Sequence, residues 1–163
     1  MNPNAQKFIA QMSSNIKSRF FLFSKLPSAF FSGVRIKKLT EQQATVIVPY
    51  KWFSQNPFGS TYFACMAMAA EMSTGLLAMM QIYERKPSVS MLVVKLEATY
   101  FKKAVGITHF ICEAGTEFDK IVEACLQSGE GKTITAKSRG TNEQGELVAE
   151  FFITWSFKAK SIS

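Results

Sequence analysis

The chain has 163 residues, 47% of them hydrophobic, and a formal net charge of +7. That length gives one domain with one sizeable core, and so large an apolar share suggests surface buried between subunits. Residues 1–40 carry seven Lys/Arg and no acid, while the rest carries twelve of each, so the body is neutral and a basic nucleic-acid face is not supported.

Cys65, Cys112 and Cys125 form no CxxC pair, are odd in number and fall in apolar, periodic segments. They read as reduced packing residues of a cytoplasmic protein. The single histidine, His109, excludes His-rich metal sites, leaves little for Ser-His or Cys-His catalysis, and reads as a structural strand residue. No metal or separate cofactor is expected.

Residues 4–31 read as an amphipathic helix followed by an aromatic cluster at Phe20, Phe21, Phe23, Phe30 and Phe31. The plain expectation is a helix packed on its own sheet or on a dimer partner; basic amphipathic segments with exposed Phe can also lie on anionic membranes. The 33–39 and 43–50 stretches follow as a short and a longer strand, the latter with β-branched Thr45, Val46, Ile47 and Val48. The turn Asn56-Pro57-Phe58-Gly59 comes next, then Ser60 as expected N-cap of a helix running to residue 82.

That helix is apolar nearly all round, which marks an element buried on every side. Small residues recur along it, among them Ala64, Ala67, Ala70, Ser73 and Gly75, and they let a sheet wrap it closely. A membrane span is not expected. The turn residues use up the front of the apolar window, and Glu71 would sit near mid-membrane at about 2.5–3.5 kcal/mol. Strands follow at 89–101 and 106–113, then a short amphipathic helix at 116–127 behind a capping-box pattern, Thr116 to Asp119. Two closing strands, 132–141 and 146–158, flank the hairpin turn 142–145. Antiparallel strands around one apolar helix give an α+β fold, one domain with an N-terminal segment 1–32 and a core 33–158.

Glu71 is the helix's one ionisable side chain before Tyr83, and a lone carboxylate there is costly unless paired, protonated or used. If it is a base, the nearest anion-stabilising device is the first turn of its own helix, where free N–H groups near Tyr62 and Phe63 point outward. Phe63 and Glu71 are about 12 Å apart at 1.5 Å per residue, too far to meet one carbonyl. Two such helices, antiparallel across a two-fold axis, would bring Glu71 of one subunit beside Phe63 of the other. Chemistry at Glu71 therefore predicts an isologous dimer with composite sites.

The pattern Asn56-x-x-Gly59-x-x-Tyr62-Phe63-Ala64, then Glu71 and Gly75, resembles the hotdog-fold acyl-CoA thioesterases of the phenylacetate-pathway type. Those carry N-x-x-G-x-x-H-G-G, an acid after the last Gly, and a further Gly. Tyr62, Phe63 and Ala64 stand where that family has His-Gly-Gly. The 145–155 segment and the inserted 116–127 helix are similar to a domain-of-unknown-function branch of the same superfamily.

The resemblance implies a sheet wrapped around the 60–82 helix and a homodimer, or a dimer of dimers, with an acyl-thioester tunnel at the interface. Glu71 would be general base or nucleophile and Asn56 would position water or thioester. The Phe63 N–H would hold the oxyanion, with Tyr62 a poorer proton shuttle than His. Gly59 and Ala64 would border the substrate. The family's Ser or Thr on the next strand has Ser90 nearby, though alignment on Tyr100 places Val93 there. Lys102, Lys103, Lys137 and Arg139 could meet coenzyme A phosphates, the coenzyme being part of the substrate; a solvated face is their plainer reading. The expected function is acyl-CoA or related thioester hydrolysis, the alternative a non-catalytic acyl-binding hotdog protein, and third an enoyl-thioester hydratase.

Overall fold

The computed structural model describes residues 2–160, and its centre is a twenty-residue helix, α4 (Phe63–Ile82). Three short helices precede it: α1 (Ala5–Ser13), α2 (Asn15–Lys25) and α3 (Pro27–Phe31), then strands β1 (Arg35–Leu39) and β2 (Ala44–Pro49) and a 3-10 turn at Trp52–Ser54. After α4 come β3 (Val89–Tyr100), β4 (Ile107–Cys112), α5 (Gly115–Ser128), β5 (Lys132–Thr141) and β6 (Leu147–Ala159). The six strands form one sheet in the order β1-β2-β4-β5-β6-β3, antiparallel at every pairing. This is the hotdog arrangement that the resemblance implies.

The sheet wraps α4 because α4 offers it small or flexible apolar side chains. Ala69, Ala70, Leu76, Leu77, Ala78 and Met80 are fully buried, and α4 packs across β2, β4 and β5. The helix is long and apolar enough to cross a membrane, but most of it lies inside the protein. It is the core. One stripe is not fully covered: Ala64, Ala67, Met68 and Glu71 are only half-buried, at the spacing of a single helix face.

Two polar contacts pin α4 to the sheet. The Ser73 and Ser138 hydroxyls meet at 2.7 Å, and the Trp155 indole N–H donates to Thr74 Oγ1 at 2.9 Å. Thr74→Val is expected to leave that indole N–H buried without an acceptor, costing about 1–3 kcal/mol. A lower denaturation midpoint, recovered by Thr74→Ser, would show it.

Local chemistry moves several boundaries. The N-terminal helix breaks at Ser14, whose hydroxyl accepts the Lys17 N–H and starts α2, and again at Leu26, because Pro27 opens α3. Ser60 is not the cap of α4. It belongs to the preceding turn, and Tyr62 is the N-cap, with no side-chain cap bond. The capping box at Thr116 does not form either: the helix starts one residue earlier behind Ala114, and the Thr116 hydroxyl donates to Gln42 Oε1 at 2.6 Å. At the far end of α4, Asn2 acts as an unforeseen cap, its amide donating to the carbonyls of Met80 and Tyr83, each at 2.8 Å.

Candidate functional site

The turn after the 3-10 segment is organised by one side chain. Asn56 Oδ1 accepts the N–H of Phe58 at 2.9 Å and of Ser60 at 3.2 Å, and its amide donates to the Ser60 hydroxyl and the Thr61 carbonyl. The reversal at Gly59 needs φ +71°, a left-handed backbone that glycine adopts without penalty. With its amide taken by its own turn, Asn56 shapes the loop leading into α4.

That loop delivers the start of α4 to the surface. Tyr62 is 44% and Phe63 55% exposed, their rings edge to face at 4.8 Å. The Tyr62 N–H is held by the Ser54 carbonyl at 2.7 Å, while the leading N–H of the helix, that of Phe63, has no intrahelical acceptor. A groove of about 550 Å³ runs past these residues, lined by Asn56, Tyr62, Phe63, Met66, Tyr100 and Lys103 among others. Lys102 lines it too, paired with Glu146 at 2.6 Å, and Lys103 donates to the Phe58 carbonyl at 3.0 Å.

Glu71 is two turns further along α4 and does not line this groove. Burial raises its carboxyl above the ordinary carboxylate range, and among the described residues no side chain hydrogen-bonds it. A Cβ on Gly75 would stand 3.3 Å from both Glu71 Oε1 and the Trp155 ring. The bare glycine lets carboxylate and indole share that space. Val93, paired with Trp155 across β3 and β6, brings no hydroxyl to this neighbourhood.

The structure therefore gathers Asn56, Gly59, Tyr62, Phe63, Ala64, Lys102 and Lys103 at one end of the molecule. It does not gather the rest. The Ser90 hydroxyl donates to the Lys158 carbonyl at 3.1 Å, in a separate cleft of about 730 Å³ at the opposite end of β3. Lys137 and Arg139 point off β5 on the face opposite Ser138, whose hydroxyl meets α4. Lys137 pairs with Glu150, so these two form no cluster with Lys102 and Lys103. His109 stands on β4 opposite Ile47 and Thr141 and does not line the groove at the α4 start. Sequence reasoning missed Trp155 and Thr74 as the floor beneath Glu71; a buried Trp facing a helix Gly was the only available signal.

A family described as a domain of unknown function (DUF4442) matches residues 16–157. No curated protein sequence matches the chain significantly. Among solved structures it is similar to a probable thioesterase of unknown function from Pseudomonas aeruginosa, at 18% identity and TM-score 0.75, over 92% of this chain and 99% of that one. A protein of unknown function from Chlorobaculum tepidum has 14% identity and TM-score 0.75 over 96% and 94%. A thioesterase from Haemophilus influenzae has 12% identity and TM-score 0.65 over 90% and 91%. With a central helix wrapped by a six-stranded antiparallel sheet and a family match spanning most of its length, the chain belongs to the DUF4442 family and has the hotdog fold.

Proposed function

We propose that the protein hydrolyses acyl thioesters, with acyl-CoA as the substrate class, at a site completed across a homodimer. The observation that carries this reading is Glu71: a desolvated carboxylate without a hydrogen-bonding partner among the described residues, on the one half-covered stripe of an otherwise buried helix. The names of two solved neighbours support it. In this mechanism Glu71 takes a proton from water as the water oxygen attacks the thioester carbonyl. The Phe63 N–H of the other subunit donates a hydrogen bond to the developing oxyanion. Collapse breaks the C–S bond, and the departing thiolate takes up the proton, giving a carboxylic acid and free thiol.

The edge of the sheet supports the dimer. β3 ends the strand order, and Leu92, Val94, Leu96 and Tyr100 along it are exposed. A long apolar edge strand is a template for pairing with another chain. A cytoplasmic location fits three buried free thiols, Cys112 being pushed up to about 11 by burial. Thiol release from acyl-CoAs of graded chain length, with aryl-CoA included, tests the reading; absence of turnover across that panel refutes it.

One observation favours a binding protein instead. Tyr62 stands where the resembling enzymes carry His, and a phenol is a weak proton shuttle near neutral pH. Tyr62→His is expected to raise turnover about tenfold or more if the remaining site is competent. Unchanged zero turnover together with acyl-CoA binding, measured by calorimetry, would make this a ligand-binding hotdog.

A further inference from the structure

The face made by α2, α3 and the Trp52–Ser54 turn combines two properties. The first is apolar exposure. α2 buries Ser18 and Leu22 and turns Ile16, Phe20 and Phe23 outward, Phe20 being 70% exposed. These sit at i, i+4 and i+7, one helix face. The stripe continues without a gap through ring contacts, from Phe23 to Phe31 at 6.3 Å, Phe31 to Phe53 at 5.9 Å, and Phe53 to Trp52 at 4.9 Å. Trp52 is 76% exposed.

The second property is charge of one sign. Lys17 borders the stripe on α2, and no acid occurs before Glu41. Between α2 and β1 lies a cleft of about 180 Å³ lined by Arg19, Arg35 and Lys37 with Asn15 and Ser18. None of these three cations pairs with a carboxylate among the described residues. Arg19 packs its guanidinium 4.1 Å from the Phe30 ring centre, and its Nη1 is buried without a hydrogen-bond partner. A buried donor on an obligate cation calls for an acceptor of negative charge.

We propose that this face docks on an anionic lipid surface, the aromatic stripe entering the headgroup–acyl boundary and the Arg19–Arg35–Lys37 cleft receiving a lipid phosphate. A second copy is a poor occupant, since a two-fold contact here would set the cations of one copy against those of the other. A nucleic acid would leave the aliphatic and phenyl side chains of Ile16, Phe20 and Phe23 against solvent or phosphate. A bilayer with anionic headgroups satisfies both properties at once. The sequence had made this the second reading of the segment; the outward Phe and the unpaired cleft bring it forward. Lipid docking stands whether or not the protein hydrolyses thioesters.

The test is flotation of the full chain with vesicles of phosphatidylcholine alone and of phosphatidylcholine mixed with phosphatidylglycerol, followed by tryptophan emission. Trp155 is buried, so a blue shift on binding reports Trp52, and Trp52→Phe removes it. Expected are binding to the mixed vesicles only, weakening with salt, and a loss of tenfold or more in Phe20→Ser/Phe23→Ser. Arg35→Gln/Lys37→Gln is expected to weaken binding about fivefold for each cation removed near the surface. All four positions are exposed, and unchanged melting temperatures confirm folding. Equal binding to both vesicles, no binding, or binding untouched by either variant overturns the proposal. So does self-association abolished by Phe20→Ser, or tighter binding to a single-stranded oligonucleotide than to mixed vesicles.

Discussion

Glu71→Gln is expected to lower acyl-thioester hydrolysis by about 10²–10⁴-fold, the range that a positioned general base contributes. Gln keeps the shape of the side chain above Gly75 and beside Trp155 but cannot take a proton. The pH profile supplies a second readout. Burial raises the Glu71 carboxyl, so wild-type kcat/KM should climb with pH through an inflection above the ordinary carboxylate range, and that inflection should vanish in the variant. An inflection that survives in Glu71→Gln would assign the proton transfer to another group.

The same shift has a stability consequence of definite sign. A carboxyl whose folded value lies above its unfolded value adds stability below the unfolded value, and that contribution is lost as pH rises through the folded one. Glu71→Gln, with no charge to desolvate, should therefore be more stable than wild type near neutral pH. The two should converge in acid. Chemical denaturation at several pH values would show the divergence. A base that makes its own fold less stable is what an active site, rather than a packing position, predicts.

The second large effect lies in the core. Phe151 is fully buried, its ring 5.7 Å from that of Tyr100 and 5.6 Å from that of Phe110, on a strand paired on both sides. Phe151→Ala is expected to cost about 3–5 kcal/mol, the transfer term plus the cavity, a large part of a typical domain's 5–15 kcal/mol. Phe152 is the control. Its side chain leaves the opposite face of β6 and is 39% exposed, so Phe152→Ala should stay within about 1 kcal/mol. Urea midpoints for the pair check the strand register directly, since a slip of one residue would exchange the two results.

The elements that were legible in the sequence are those with one dominant local signal. The apolar run of α4, the β-branched run of β2 and the turn at 142–145 all fall where pattern places them, the last closed by the Asn142 N–H to Glu146 carbonyl bond at 3.0 Å. Boundaries were lost where a polar side chain had a choice. Ser60 and Thr116 are both good local caps, yet one hydroxyl is taken by Asn56 within its own turn and the other is drawn to Gln42, a partner that only the tertiary fold supplies. The candidate site divides the same way. Asn56 to Phe63 are contiguous, so their proximity is written in the chain. The period-2 rule put Lys137 and Arg139 on one face but could not say that α4 lies on the other. Ser90 was misplaced for a related reason: with β3 running from Val89 to Tyr100, only one end of the strand meets the groove.

β3 carries one more instruction. Midway along this exposed edge, Lys95 and Glu97 form an ion pair at 3.0 Å, with Leu96 between them. Read in either direction about Leu96, the strand presents opposite charges at equal distance, so it is electrostatically its own complement. In the proposed dimer an antiparallel match centred there would set Lys95 against Glu97 of the partner subunit, twice, and a shift of two residues in either direction would lose both contacts. Specificity for self over other edge strands would then reside in three residues. Lys95→Glu and Glu97→Lys should each shift subunits toward monomer in sedimentation, and the double exchange should reverse the loss.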